Sequence, residues 1–138
     1  MNKKEFLDLG TQPIANGFLT EDQFQNEFFY DLKVGIDRDT HLVTHMDYVK
    51  PELMFNDTYA YRGSMSKTMR NHFATTSRYL REFLPKTPKV LEIGSNDGVF
   101  IKNWEMDSTV AVEPCSNFAK ETNDLGYKTY NGFWTKEL

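Results

Sequence analysis

The sequence predicts an α/β fold, in which a β-α-β-α-β unit follows a long helix and a small N-terminal β-hairpin module. Three patterns support this prediction. Apolar residues alternate over residues 28–36, recur at spacings of three and four over 64–84, and then form short runs that alternate with helical segments. We therefore divide the 138-residue chain into two regions, residues 1–61 and 62–138.

Residues 1–61 are predicted to contain loops and short strands. Residues 7–18 mix apolar anchors with glycine and asparagine, which indicates irregular backbone. The alternation over 28–36 indicates a half-buried strand. The turn-forming residues 37–40 then predict a hairpin whose second strand spans 41–46. An isolated hairpin is marginal in water, so it must pack on another element.

The clearest helix is predicted over residues 64–84. Ser64 or Ser66 can cap its first turn, and Pro85 and Pro88 stop it. Its basic side chains lie off the apolar stripe and are predicted to face solvent. They are Lys67, Arg70, Arg78 and Arg81.

The last part of the chain alternates strand and helix signals. This alternation predicts a parallel sheet with right-handed crossovers. Gly126 suits the end of the last helix. The predicted strands span residues 89–93, 109–112 and 128–130, and the helical pieces span 99–104 and 116–125.

The composition limits the class of function. Lys and Arg number 16 against 20 Asp and Glu, a net charge of −4, which argues against a nucleic-acid partner. No apolar run is long enough to span a bilayer or to form a signal peptide, so we expect a cytoplasmic protein with no membrane partner. The single cysteine, Cys115, cannot form an internal disulfide and is expected to be a small buried residue.

The loop after the first strand of the parallel sheet is the candidate binding site. Gly94 permits a tight turn and close approach of a ligand, and Gly98 permits close packing where a helix begins. The free N–H groups of this loop are expected to cradle a polar ligand. Glu113 follows Gly94 by 19 residues, the position of the acid that binds ribose hydroxyls in this topology.

The charges near this loop favour S-adenosylmethionine (SAM) over other nucleotides. Asn96 interrupts the G-x-G-x-x-G pattern, and Glu92 and Asp97 would repel a pyrophosphate. No Gly-Lys-Ser/Thr sequence indicates an ATP site. The ammonium and sulfonium groups of SAM suit the two acids. The alternative is a structural turn in some other α/β domain.

Motifs in order along the chain resemble those of one known family. They are residues 7–16, 51–55 and 59–61, the helix opening with Ser64, Ser66, Met69, His72 and Phe73, the loop Glu-Ile-Gly-Ser-Asn-Asp-Gly at 92–98, residues 113–114, Asn117, Ala119, and 126–129. This pattern resembles the SAM-dependent C-methyltransferases that act on nucleotide-linked deoxysugars.

The resemblance implies a partial Rossmann-like methyltransferase sheet that binds SAM. Glu113 would accept both ribose hydroxyls, and residues 94–98 would surround the methionine portion. Tyr59, Tyr61 and His72 are the catalytic candidates, although none is a convincing base and the tyrosines equally suit a core. The implied cofactor-binding residues are Ser64, Ser66, Glu92, Gly94, Ser95, Asn96, Asp97, Gly98, Glu113, Pro114 and Asn117.

The chain departs from the family at its zinc module, which carries two Cys-x-x-Cys pairs. The second pair would fall at Asp37 and Thr40, and the first would precede Phe6, where this chain has no cysteine. His41 and His45 would lie roughly 13 Å apart on a strand, too far to share an ion. We therefore expect neither zinc nor another metal.

The chain also holds about half of the seven-stranded sheet of the family, without the parts that supply the sugar site and the base. The functional hypothesis therefore branches. In the first branch the chain is a methyltransferase subunit completed by a second chain or by a homodimer. In the second it is a catalytically silent SAM-binding or scaffold module, and a SAM-sensing regulator is a third possibility. The methyltransferase ranks first, because a scaffold has no use for Glu92, Gly94 and Glu113.

Overall fold

The computed structural model describes residues 2–138 and divides the chain into two compact units, Met1–Met54 and Phe55–Leu138. The first unit contains a three-stranded antiparallel sheet, and the second contains a three-stranded parallel sheet with two α-helices. The fold is thus mixed α/β, as the sequence predicts. Residues 55–61 lie in the second unit. No described helix has the length and apolar character needed to cross a bilayer.

The first unit is built on the predicted hairpin. Its strands are β1 (Lys3–Pro13), β2 (Phe29–Asp37) and β3 (Val43–His45), and β2 lies between the other two. A 3₁₀ turn over Glu21–Asn26 lies between β1 and β2. The prediction of a hairpin over residues 28–46 is confirmed, and β1 is the additional element on which it packs.

The strand β1 corrects the prediction of irregular backbone for residues 7–13, whereas residues 14–18 lie outside any strand or helix, as predicted. Pairing with β2 continues to Pro13, across two register shifts. Gly10 has a φ of 72°, and its amide donates to Asp8 Oδ1 at 2.8 Å. The glycine thus lies at an irregularity within a strand rather than in a loop, because a bulge absorbs extra residues without ending the pairing.

The turn between β2 and β3 confirms the turn predicted at residues 37–40. Asp37 Oδ1 accepts the N–H groups of Asp39 and Thr40, each at 2.9 Å. The Asp37 amide donates to Leu42 O at 2.9 Å, and the His41 amide donates to Asp37 O at 2.8 Å. The N–H groups of Thr40 and Asp39 hold the pKa of Asp37 below its ordinary value. An aspartate side chain therefore organises this turn.

The second unit consists of a helix followed by the parallel sheet. In the sheet, β5 lies between β4 and β6, so the predicted parallel arrangement is confirmed. Its fully buried side chains include Ile101, Val112 and Phe118. The elements are α1 (Lys67–Arg81), β4 (Val90–Ile93), β5 (Thr109–Glu113), α2 (Ser116–Asp124) and β6 (Lys128–Asn131).

The helix α1 is shorter than the predicted helix at both ends. Ser66 is its N-cap and accepts the Met69 amide at 3.2 Å, whereas Ser64 lies in a preceding 3₁₀ turn, Gly63–Met65. The capping prediction therefore holds for Ser66. The α-helix gives way to a tighter turn after Arg81, so α1 ends before Pro85 and Pro88.

Arg81 corrects the prediction that the basic residues of α1 simply face solvent. Its guanidinium lies 4.6 Å from the Trp104 ring centroid and donates to Asn103 O at 2.8 Å. It also pairs with Glu105 at 3.3 Å. An arginine off the apolar stripe can cover an aromatic ring with its planar head while keeping water contact.

The connection between β4 and β5 corrects the prediction of a helix after the candidate loop. It contains two 3₁₀ turns, Ile101–Asn103 and Met106–Ser108, rather than an α-helix. The Asn103 side chain donates to the carbonyls of Val99 and Phe100 at 3.1 and 3.0 Å. A side chain that takes backbone acceptors in this way competes with continuation of the helix.

Candidate functional site

The predicted cofactor residues lie at the carboxyl ends of β4 and β5. Loop 94–98 follows β4, residues 114–117 follow β5, and residues 59–66 precede α1. In open parallel sheets, ligands bind outside the carboxyl ends of the strands. The second unit therefore has its candidate site where its topology favours one.

Glu113 connects the ends of the two strands. Its Oε2 atom accepts the Asn96 amide at 2.7 Å, and its Oε1 atom accepts the Cys115 amide at 2.8 Å. The residue is only 4% exposed. Each carboxylate oxygen has a second lone pair, so both can still accept a hydroxyl donor. The acid predicted to bind ribose is thus held in position by the loop.

The side chains of the loop hold the segment before α1. Asn96 Oδ1 accepts the Gly63 amide at 2.9 Å, and Asn96 Nδ2 donates to Tyr61 O at 2.9 Å. The Asp97 carboxylate accepts the Ser64 amide at 3.1 Å. The structure therefore brings together Asn96, Asp97, Tyr61 and Ser64, although Tyr61 and Ser64 take part through their backbones.

Four of the five amides of loop 94–98 donate within the chain, which corrects the expected cradle of free N–H groups. The Gly94 and Ser95 amides donate to Val112 O at 2.8 and 3.4 Å, and the Gly98 amide donates to Ser95 O at 3.0 Å. The Asn96 amide is taken by Glu113. These donors find acceptors because β5 runs beside the loop, which sequence spacing alone does not show.

Gly98 has the close packing that the sequence predicts. Its φ is 77°, and a Cβ there would lie 2.8 Å from Thr122 Cγ2 of α2. Gly94 differs, because its φ is 75° but a Cβ would meet no atom within 4 Å. The first glycine is therefore needed for backbone conformation, and the second for conformation and space together.

Buried polar atoms without partners are concentrated among the predicted cofactor residues. Among residues 2–138, four buried side-chain atoms lack a hydrogen-bond partner, namely Glu92 Oε2, Ser95 Oγ, Asn117 Oδ1 and Trp104 Nε1. Three of these four belong to the predicted set. Because buried polar groups are nearly always paired, such atoms indicate a missing water or ligand. The residues present therefore fit a polar ligand at this end of the sheet.

Glu92 is the most strongly perturbed carboxyl group of the site. Burial raises its pKa to about 8, the Glu113 carboxylate adds to the rise, and the Ile101 N–H opposes it. At neutral pH the Glu92 carboxyl group is therefore largely protonated. A cationic group placed beside it would favour ionisation.

Cys115 is 1% exposed, as expected for a small buried residue. Burial raises its pKa to about 12, and Glu113 adds to the rise through a hydrogen bond and its charge. A thiol that stays protonated is a poor nucleophile. Cys115 is therefore not suited to covalent catalysis.

The two candidate tyrosines differ in environment. Tyr59 makes edge contacts with the rings of Phe55 and Phe118, at centroid distances of 5.4 and 6.4 Å. Its carbonyl accepts the Asn117 side chain at 3.4 Å. The Tyr61 side chain is 48% exposed. Tyr59 is therefore an aromatic packing residue, and Tyr61 is the more exposed residue of the two.

The remaining candidates are more peripheral. His72 is exposed on α1, and its ring centroid lies 5.4 Å from that of Phe73. The Ser66 hydroxyl caps α1, and Pro114 O accepts the Asn131 side chain at 2.9 Å. These contacts give Ser66 and Pro114 structural roles.

Sequence reasoning missed Arg62. Its guanidinium makes two hydrogen bonds to the Glu121 carboxylate, at 2.8 and 2.5 Å, and lies 4.9 Å from the Phe118 ring centroid. The side-chain hydrogen bonds raise the pKa of Arg62 and lower that of Glu121. This pair ties the segment before α1 to α2. No local signal could reveal it, because the partners are 59 residues apart.

The comparisons with known proteins bear mainly on the first unit. A methyltransferase-associated family model, described as "Putative zinc binding domain", matches residues 1–55. No curated protein matches the chain. The match covers less than half of the chain and supports a methyltransferase-related role.

Proposed function

We propose that the second unit binds SAM and that the chain acts as a subunit of a SAM-dependent methyltransferase. The observation that carries this proposal is the set of unpartnered buried atoms on Glu92, Ser95 and Asn117, at the strand ends where Glu113 lies. The methyltransferase-associated match over residues 1–55 supports it independently.

The side chains suit the parts of this cofactor. SAM would supply a methyl group on a positively charged sulfur. Glu113 has spare lone pairs for the ribose hydroxyls, and Glu92 and Asp97 offer acidic groups to the methionine portion. Ser95 Oγ and Asn117 Oδ1 would gain the hydrogen bonds they lack. The main contribution of these residues would be to orient the methyl group.

The proposed methyl acceptor is a nucleotide-linked sugar, as the resemblance of the sequence implies, and we propose that the chain acts in the cytoplasm. Tyr61 is the more exposed of the two tyrosines and its carbonyl accepts the Asn96 side chain, and we propose that Tyr61 lines the acceptor side of the site. We do not assign a general base to this chain. In the proposed reaction, the base would remove a proton next to a sugar ketone before methyl transfer.

We further propose that a second chain supplies that base and pairs with β4. The strand β4 is at the edge of the parallel sheet, and Leu91 and Ile93 are 48% and 54% exposed. Parallel sheets are normally covered on both faces, and an open apolar edge favours further pairing. A partner strand beside β4 would pair with its free edge, and partner elements packed on the same face as Leu91 and Ile93 would cover both side chains.

Calorimetric titration with SAM tests the cofactor site. Glu113→Gln keeps one acceptor oxygen for the loop but removes the charge, and we expect it to weaken SAM binding at least about tenfold, or 1.4 kcal/mol. Glu137→Gln is the matched control, because that residue is largely exposed near the C-terminus. Equal SAM affinities of the two folded variants would contradict the proposal.

A catalytically silent scaffold is the second candidate, and one observation favours it. Four of the five loop amides donate within the chain, and each Glu113 oxygen already accepts one amide, so the loop is held without a ligand. The scaffold would give neither heat nor a thermal shift with SAM or its demethylated product. A SAM sensor would bind SAM but remain inactive with every added acceptor and partner.

A further inference from the structure

The first unit matches a zinc-binding family model, yet its residues do not fit a zinc site. A structural zinc ion takes four ligands, almost always cysteine and histidine. The only cysteine of the chain is Cys115, outside the matched residues 1–55. Among residues 2–138, no group of three or more His, Cys, Asp or Glu side chains could hold a metal ion.

The turn between β2 and β3 lies where the resemblance places one of the two cysteine pairs that would bind zinc. In the resemblance described above, Asp37 and Thr40 stand where two cysteines would bind the metal. Here Asp37 Oδ1 accepts the amides of Asp39 and Thr40 at 2.9 Å each. One carboxylate oxygen thus holds the turn at which the resemblance places a pair of metal-binding thiolates.

The same turn is joined to all three strands of the unit. Asp37 is the last residue of β2 and pairs with Lys3 of β1. The Asp37 amide donates to Leu42 O, just before β3, and the Arg38 amide donates to Asn2 O, just before β1, each at 2.9 Å. A disturbance of the turn would therefore reach the whole sheet.

Burial identifies Asp37 as an unusual residue of this unit. Among residues 2–54, only Gly35 and Asp37 are buried, so no apolar side chain forms a core there. A small unit without a core needs another source of stability, such as a metal or a disulfide. The hydrogen-bonded Asp37 turn can provide part of this stability.

We propose that the N-terminal unit folds without zinc, and that the Asp37 carboxylate closes the β2–β3 turn in place of the metal. The unit thereby keeps the hairpin of a zinc-binding domain while losing its dependence on thiolates. Its stability is then insensitive to chelators and to thiol oxidation, unlike that of domains that fold only with metal bound.

Metal analysis of the purified chain tests the first half of the proposal. We expect less than about 0.1 zinc per chain, and no change in thermal unfolding on addition of EDTA or of equimolar zinc chloride. About one zinc per chain, or a lower unfolding temperature with EDTA, would overturn the proposal.

Amide hydrogen exchange of three variants tests the second half. Asp37→Ala removes the acceptor. We expect the amide of Thr40 and the amide of residue 37, which donates to Leu42 O, to exchange at least about tenfold faster, because a turn cap is lost. Asp37→Asn keeps an acceptor oxygen and should retain most of the protection. Asp39→Ala is the matched control, because only its backbone takes part in the turn.

If Asp37→Ala is unfolded, the comparison of Asp37→Asn with Asp39→Ala decides. The proposal is supported if the turn amides of both variants exchange more slowly than the same amides in an unstructured peptide of the same sequence. Exchange in Asp37→Ala equal to that in Asp39→Ala would overturn the assigned role of the carboxylate.

Discussion

The two units of this chain are stabilised by different means. The second unit buries Ile101, Val112 and Phe118 almost completely, whereas among residues 2–54 only Gly35 and Asp37 are buried. Both units contain a three-stranded sheet. The difference shows that a sheet can persist on hydrogen-bonded turns and bulges where a hydrophobic core is absent, and it identifies which residues each unit cannot lose.

The largest expected difference in the free energy of unfolding is between alanine substitutions of two phenylalanines, one in each unit. Phe118 is 0% exposed in the second unit and Phe18 is 78% exposed in the first. Phe118→Ala should lower the free energy of unfolding of its unit by about 3–5 kcal/mol, because it opens a cavity. Phe18→Ala should change it by less than about 0.5 kcal/mol. Denaturant titration measures both, and similar losses would break the comparison.

The next effect uses the buried carboxyl group of the second unit. Glu92 has its pKa raised from 4.5 to about 8 by burial, so the folded state holds a proton that the unfolded state releases. Stability of the second unit should therefore fall as pH rises from about 4.5 to 8, by an amount on the order of 3 kcal/mol. Glu92→Gln should remove this slope in denaturant titrations at pH 5 and pH 9. An unchanged slope would contradict the assignment.

Asp37 in the first unit should show the opposite pH dependence. Its pKa is lowered from 3.8 by the Thr40 and Asp39 amides, so its contribution to stability is present above that value. The contribution is lost as pH falls through the lowered pKa. The protection factors of amides in the first unit, taken against the intrinsic exchange rate at each pH, should fall in acid in the wild type but less in Asp37→Asn. Parallel acid profiles would contradict this account.

A smaller effect compares two glycines with left-handed backbones. Gly98 has a φ of 77° and no room for a Cβ, whereas Gly10 has a φ of 72° and open space around it. Gly98→Ala should destabilise the second unit by about 2–4 kcal/mol through strain and crowding. Gly10→Ala should cost about 1–2 kcal/mol through strain alone. Equal losses in thermal unfolding would show that crowding by Thr122 is unimportant.

Local patterns predicted much of the fold because their causes are local. The hairpin turn follows from Asp37 and its two nearest amide donors, and the capping of α1 follows from Ser66. Gly10 led to the wrong prediction of a loop, because glycine is common both in loops and at β-bulges. Only pairing with β2 distinguishes them, and that pairing is not visible from the sequence near Gly10.

The candidate site was predictable in position but not in detail. The strand, glycine loop and Glu113 could be found by spacing. The contacts that fix them depend on long-range partners, such as Val112 O for the loop amides and Glu121 for Arg62. For the same reason the sequence could not show that Glu92, Ser95 and Asn117 would be left with unpartnered buried atoms.

A nuclear magnetic resonance titration of the ¹⁵N-labelled chain with SAM tests the central claim most directly, because it reports on both units at once. We predict saturable shifts of the amides in loop 94–98 and residues 113–117, with no shifts in β1 to β3. Unchanged spectra at millimolar SAM, or shifts confined to the first unit, would contradict a SAM site at the ends of β4 and β5.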